Sequence, residues 1–153
     1  IAASLAQAHA FWSLRENLSD AQKPEGASIK HDISVPVVSI PAFIARAADA
    51  VASVSPQARV VCFGHMGDGN LHYNVSQPAG GDPKAFLDLY RAMNKAVHDV
   101  VRELGGSISA EHGIGQLKRD ELLATAPPVA TDLMRRIKAA FDPAGIMNPG
   151  KLL

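Results

Sequence analysis

Along this chain the spacing of apolar and polar positions changes period several times, and each change marks an element. Residues 1–17 place Leu5, Ala8, Phe11, Trp12 and then Leu14 or Leu18 at helical spacing, which predicts an amphipathic helix. Residues 18–30 are polar, contain Pro24 and Gly26, and read as a loop. The run KHDISVPVV at 30–38 alternates and ends in β-branched residues, so it reads as a strand, with Pro36 confining it to a sheet edge or a strand end. Ser39 then reads as a helix cap with Pro41 in the first turn, followed by the stripe Phe43, Ile44, Ala47, Ala48 and Val51. Strands are expected at 59–66 and 71–76. Asp82 and Pro83 open a further helix, whose apolar face runs from Phe86 to Leu104 and stops at Gly105-Gly106. Residues 107–110 read as a short strand, 116–123 and 129–141 as helices, and 143–153 as irregular.

From 30 to 110 this order is β-α-β-β-α-β. It predicts an α+β fold of the ferredoxin-like split βαβ type with additional C-terminal helices. Helices cover one face of such a sheet and leave the other for chemistry. At 153 residues, 47% of them hydrophobic, the chain suits one domain with its own core. Fifteen basic residues balance fifteen acidic ones, so no footprint for nucleic acid or an anionic membrane arises. A single cysteine, Cys62, falls on the predicted core face and points to a reducing compartment, the cytoplasm or a mitochondrial matrix. No apolar stretch is read as approaching the roughly 20 residues that span a bilayer. The opening at Ile1, inside an apparent helix, is read as the start of a fragment.

The stretch VVCFGHMGDGNLHYNV at 60–75 concentrates the candidate chemistry. Asp68-Gly69 is a two-residue hairpin signal, because a type I′ turn needs positive φ at both central positions. With that turn, His65 would face His72 across the strands, and Phe63, His65, His72 and Asn74 would share one face, with Cys62, Met66, Leu71, Tyr73 and Val75 on the other. Facing imidazoles can hold one ion, and a carboxylate would complete a two-His-one-carboxylate site suited to Zn²⁺, Fe²⁺ or Mn²⁺. Glu111, in SAEHGIG after the short strand at 107–110, is the candidate third ligand. Histidines flanking a turn also occur unliganded on exposed hairpins, so the pattern alone leaves both readings open. Asp68 is assigned to the turn. His112 is a candidate general base near neutral pH. Asn74 can bond a ligand oxygen, and Arg15 and Lys30 are candidates to clamp a carboxylate.

Three segments, GHMGDGNLHYNV, SAEHGIG and FDPAGIMNPGKLL, resemble in order and spacing the C-terminal part of FAD-linked oxidases of the vanillyl-alcohol-oxidase type, nearest to the flavin-dependent D-2-hydroxyacid dehydrogenases. LRENLSDAQK and KHDISVP extend the likeness over essentially the whole chain. The resemblance implies a single C-terminal cap or substrate domain over 1–153. Its activity would be oxidation of D-2-hydroxyglutarate, D-lactate or glycolate, with hydride passing to FAD. It implies a divalent metal, usually zinc, on His65, His72 and Glu111, a base at His112, substrate contacts at Arg15, Ser19, Lys30 and Asn74, and Asn148 close to the flavin. Ser19 stands where the family often has threonine. Nothing in the sequence corresponds to the N-terminal FAD-binding domain, so the isolated chain is expected to be inactive, its partners being that domain, an electron acceptor that would place it peripherally at a membrane, and a second copy in a homo-oligomer. A free-standing ferredoxin-like metal-binding module without redox activity is the alternative, and a metal hydrolase a third reading.

Overall fold

The period-two runs form strands β1 (Ser28–Ser34), β2 (Arg59–Phe63) and β3 (Asn70–Ser76), joined in one antiparallel sheet of order β1-β3-β2. The computed structural model describes residues 1–153, in two compact units, Ile1–Ile108 and Ser109–Leu153. In the first unit α1 (Leu5–Glu16) precedes β1, α2 (Ile40–Val54) joins β1 to β2, and α3 (Pro83–Leu87) and α4 (Tyr90–Glu103) follow β3. The second unit holds α5 (Arg119–Thr125) and α6 (Pro128–Phe141).

Alternation decides which strand residues enter the core. Ile29 and Ile33 of β1, and Leu71, Tyr73 and Val75 of β3, are at most 1% exposed. They meet Phe43, Ala47 and Val51 of α2 and Met93, Val97 and Val101 of α4, all buried. The rings of Phe43 and Tyr73 stand edge to face at 5.2 Å, an arrangement that adds to the area they bury. Two histidines belong to this layer. His31 donates from Nδ1 to the Tyr73 carbonyl at 2.8 Å, and its ring meets that of His98 edge-on at 5.4 Å. His98 is therefore a structural residue. Burial pushes the Tyr73 phenol and the Cys62 thiol up, so both stay neutral near pH 7, although Cys62, on the core side of β2 as expected, is only half-buried.

Several boundaries depart from expectation. β1 ends at Ser34, since Pro36 can donate no ladder bond and starts the 3₁₀ turn Val37–Ser39. Ser39 lies in that turn and makes no side-chain cap. Val37–Val54 is long and apolar enough to cross a membrane by length and composition alone, contrary to the expectation that no stretch approaches this. It is amphipathic, burying Ile40, Phe43, Ala47 and Val51 while Arg46 pairs with Glu103 of α4. The expected helix from Asp82 to Leu104 is two, broken after Leu87, although Asp82 caps the first by accepting from the Lys84 N–H at 2.9 Å. α4 ends as its glycines foretell: Gly105 has φ 72°, and the Gly106 and Gly105 N–H groups bond the Val101 and Arg102 carbonyls, each at 2.9 Å. The strand expected at 107–110 is reduced to one bridge, in which Ser34 and Ser107 exchange bonds of 3.0 and 2.8 Å on the free edge of β1. α1 forms with Ser4 as its cap, but its apolar residues Leu5, Phe11, Trp12 and Leu14 are exposed.

Candidate functional site

The connection between β2 and β3 is not a two-residue turn. Phe63, not His65, faces His72, and Cys62 faces Tyr73. Residues 64–69 loop out through the 3₁₀ turn Met66–Asp68; only Gly69 is left-handed, at φ 77°, while Asp68 stays in the turn. The cause lies outside the hairpin. The Val35 N–H donates to the Gly69 carbonyl at 3.0 Å, and a Cβ on Gly69 would lie 2.2 Å from the Val35 oxygen, so the turn is pressed against the chain leaving β1. The register is displaced by two residues, an even number, so Cys62, Leu71, Tyr73 and Val75 still oppose the face of Phe63, His72 and Asn74. His65 lies beyond the ladder, heading the 3₁₀ turn.

On the face turned away from α2 and α4, the β1–β3 register sets Lys30 opposite Asn74 and Asp32 opposite His72. Asp32 is only 3% exposed, and its Oδ1 lies 3.9 Å from Nδ1 of the half-buried His72 ring. Asp32 was not singled out from sequence. An acidic residue two places after a candidate cationic ligand, on a strand destined to pair with the histidine strand, was the signal available. Phe63 packs on the His72 ring at a centroid distance of 5.2 Å.

Arg15 extends from the last turn of α1, its guanidinium 5.2 Å from the centre of the Trp12 ring and Nη2 2.8 Å from His65 Nε2. A guanidinium only donates, so Nε2 is the acceptor and the ring proton belongs on Nδ1. A cation bound at Nε2 would use the same lone pair and would release Arg15. Asn74, 5% exposed, donates from Nδ2 to Gln22 Oε1 at 3.0 Å, and Gln22 Nε2 donates to the Leu18 carbonyl at 2.8 Å. Gln22, another residue not singled out from sequence, thus fastens the loop bearing Ser19 to the central strand. Lys30 and Ser19 are exposed.

In the second unit Glu111 and His112 are exposed in the irregular stretch before α5, between Ser109 and the left-handed Gly113 and Gly115. The C-terminal run folds back on this stretch: the Leu152 N–H donates to the Gly115 carbonyl and Lys151 Nζ to Gln116 Oε1, both at 2.9 Å. Asn148, with φ 47°, lies on the wall of a cavity of about 400 Å³ lined also by Met134, Ile137, Phe141, Met147 and Leu152. Asp142 shapes that wall by accepting from the Ile146 and Met147 N–H groups at 2.9 Å and from Lys138. The Lys138 ammonium, with the two N–H donors, holds its carboxyl below the usual range.

The chain is 43% identical over 142 residues to a D-2-hydroxyglutarate dehydrogenase of Stutzerimonas stutzeri, covering 93% of this chain and 30% of the relative. It is 40% identical over 152 residues to one of Xanthomonas citri pv. viticola, with 99% and 32% covered. The mitochondrial D-2-hydroxyglutarate dehydrogenase of Danio rerio is 40% identical over 153 residues, with 100% and 27% covered. The chain therefore spans about a third or less of the length of these relatives. The family described as FAD linked oxidases, C-terminal domain, matches residues 1–152. The chain belongs to this family of FAD-linked oxidase C-terminal domains.

Proposed function

We propose that the chain is the metal- and substrate-binding part of an FAD-dependent dehydrogenase that oxidises a D-2-hydroxy acid to the 2-oxo acid. D-2-hydroxyglutarate is the first substrate to test, followed by D-lactate and glycolate. The observation that carries this reading is the row of polar residues on one sheet face, Lys30 opposite Asn74 and Asp32 opposite His72, in a chain whose relatives are named for this oxidation. Imidazoles from His65 and His72 with a carboxylate form a donor set that fits a divalent cation, and the acidic group beside His72 adds to that fit. Such a metal, held by His65, His72 and Glu111, would supply Lewis-acid polarisation of the substrate's hydroxyl and carboxylate oxygens. FAD, bound chiefly by the rest of the enzyme with Asn148 close by, would supply the hydride acceptor.

The chain's own residues bind, orient and deprotonate. Arg15 pairs with a carboxylate through its planar fork, and Lys30 places a second positive charge on the sheet face. Two cations exceed what one carboxylate needs, which favours a dicarboxylate such as 2-hydroxyglutarate. Asn74 and Ser19 donate hydrogen bonds to substrate oxygens, an orienting contribution. His112 accepts the hydroxyl proton at a ring nitrogen as the hydride leaves the α-carbon. The setting would be the bacterial cytoplasm or the mitochondrial matrix, the latter in line with the name of the Danio rerio relative.

In the full-length protein, D-2-hydroxyglutarate added without oxygen should bleach the flavin band, and His112→Ala should lower kcat at least ~100-fold, a typical general-base contribution. Absence of bleaching with all three hydroxy acids would refute the dehydrogenase and favour a metal-binding module without redox activity.

A further inference from the structure

The Asn74 amide closes a chain of hydrogen bonds that starts at the main chain. The Leu18 carbonyl can only accept, so the end of Gln22 that stands 2.8 Å from it is Nε2. Oε1 of Gln22 therefore points the other way and also only accepts, and the group it meets at 3.0 Å is Nδ2 of Asn74. Neither amide turns over alone. A flip of Asn74 sets two amide oxygens against each other. A flip of Gln22 does the same at Leu18 and sets two NH2 groups against each other at Asn74. Both side chains are buried, so water repairs neither arrangement. The loop that carries Gln22 is placed by bonds of its own: Arg59 donates to the Glu25 carbonyl at 3.1 Å, and Gln77 Oε1 accepts from the Ala27 N–H at 2.8 Å.

We infer that Gln22 is a positioning residue for substrate binding: by accepting one Nδ2 hydrogen of Asn74, it fixes the plane of that amide and aims the second hydrogen at a substrate oxygen. This rests on the proposed role of Asn74 as a substrate contact. An amide nitrogen carries two hydrogens, both in the amide plane, so fixing the direction of one fixes that of the other. Without Gln22 the Asn74 amide turns about its terminal torsion, which is broad and roughly two-fold. It then spends part of its time with its own oxygen where the substrate oxygen must sit. The bond to the substrate forms on binding and persists in the transition state, so its loss falls on affinity and not on the rate of hydride departure.

Bleaching of the flavin band without oxygen, followed in the full-length protein as the hydroxy acid concentration rises, gives the half-saturating concentration and the limiting rate separately. The proteins compared are wild type, Gln22→Met, Gln22→Leu, Asn74→Ala and the two double variants, with whichever of D-2-hydroxyglutarate, D-lactate and glycolate bleaches the wild-type flavin. Methionine and leucine keep most of the buried volume without the amide; circular dichroism shows that each folds, and either one suffices. Each Gln22 variant should raise the half-saturating concentration about 3–10-fold and leave the limiting rate within about twofold. In Asn74→Ala, which has no amide to aim, the same Gln22 change should add less than about twofold. A folded Gln22 variant with wild-type affinity, or an effect that multiplies in full with that of Asn74→Ala, would overturn the positioning role. Wild-type affinity in Asn74→Ala would remove the substrate contact and this role with it, leaving the dehydrogenase standing. A wild-type flavin that none of the three acids bleaches would refute the dehydrogenase itself, and the role of Gln22 falls with it.

Discussion

Gly69→Ala should be among the most damaging single-methyl additions in this chain, and its cost can be worked from the turn. At φ 77° an alanine pays the left-handed penalty, roughly 1–2 kcal/mol. The new Cβ would lie 2.2 Å from the Val35 carbonyl oxygen, which is backbone and cannot rotate away. The two segments must separate by close to 1 Å, about the shortfall from an ordinary contact distance. That breaks the 3.0 Å bond from the Val35 N–H to the Gly69 carbonyl, and Val35 is 4% exposed, so its donor is left without water at a cost of about 1–3 kcal/mol. The sum is about 2–5 kcal/mol, which at this size lowers Tm by roughly 4–20 °C. Gly67→Ala, with nothing within 4 Å of the new methyl, is the matched control and should stay within about 0.5 kcal/mol. Urea unfolding followed by far-UV circular dichroism measures both. A Gly69→Ala variant within 1 kcal/mol of wild type would refute the close approach of turn and strand end, and with it the explanation of the shifted register.

Two further outcomes test other parts of the structure. Phe43→Ala removes a ring that is 0% exposed and stacked edge-on against Tyr73, and should destabilise by about 3–5 kcal/mol in the same unfolding assay. Asp142 has a folded pKa below its unfolded value near 3.9, so its contribution is complete above the unfolded value and is lost as pH falls through the folded one. The Asp142→Asn variant should therefore show a flatter Tm profile than wild type from about pH 5 downward, and parallel profiles would refute the pairing with Lys138.

Much of the first unit was legible because its elements announce themselves locally. The stripe Phe43, Ala47, Val51 and the glycines after α4 required no knowledge of distant contacts. The hairpin was misread for the opposite reason. Asp68-Gly69 carries a strong local signal, but Val35, over thirty residues upstream, holds the turn in a wider form, and local chemistry does not include that contact. The facial assignment of His72 and Asn74 survived because the slip was of two residues. His31 illustrates a further limit: a polar residue on the core side of β1 is intelligible only once Tyr73 and His98 are known to surround it. Arg15, His65 and Asp32 were hard to place for the same cause, since their pairings join segments far apart in sequence.

Gln22 uses both ends of its side-chain amide, one on Leu18 and one on Asn74. Mechanically this is a tether with its anchor in the most protected strand of the sheet. The loop that carries Ser19 cannot lift without first exposing the Asn74 amide, so opening of that loop and loosening of the central strand's polar face are one event. Any ligand contacts made from the loop and from the strand would then be gained or lost together, and the entropy of ordering the loop is spent when the chain folds, before a ligand binds.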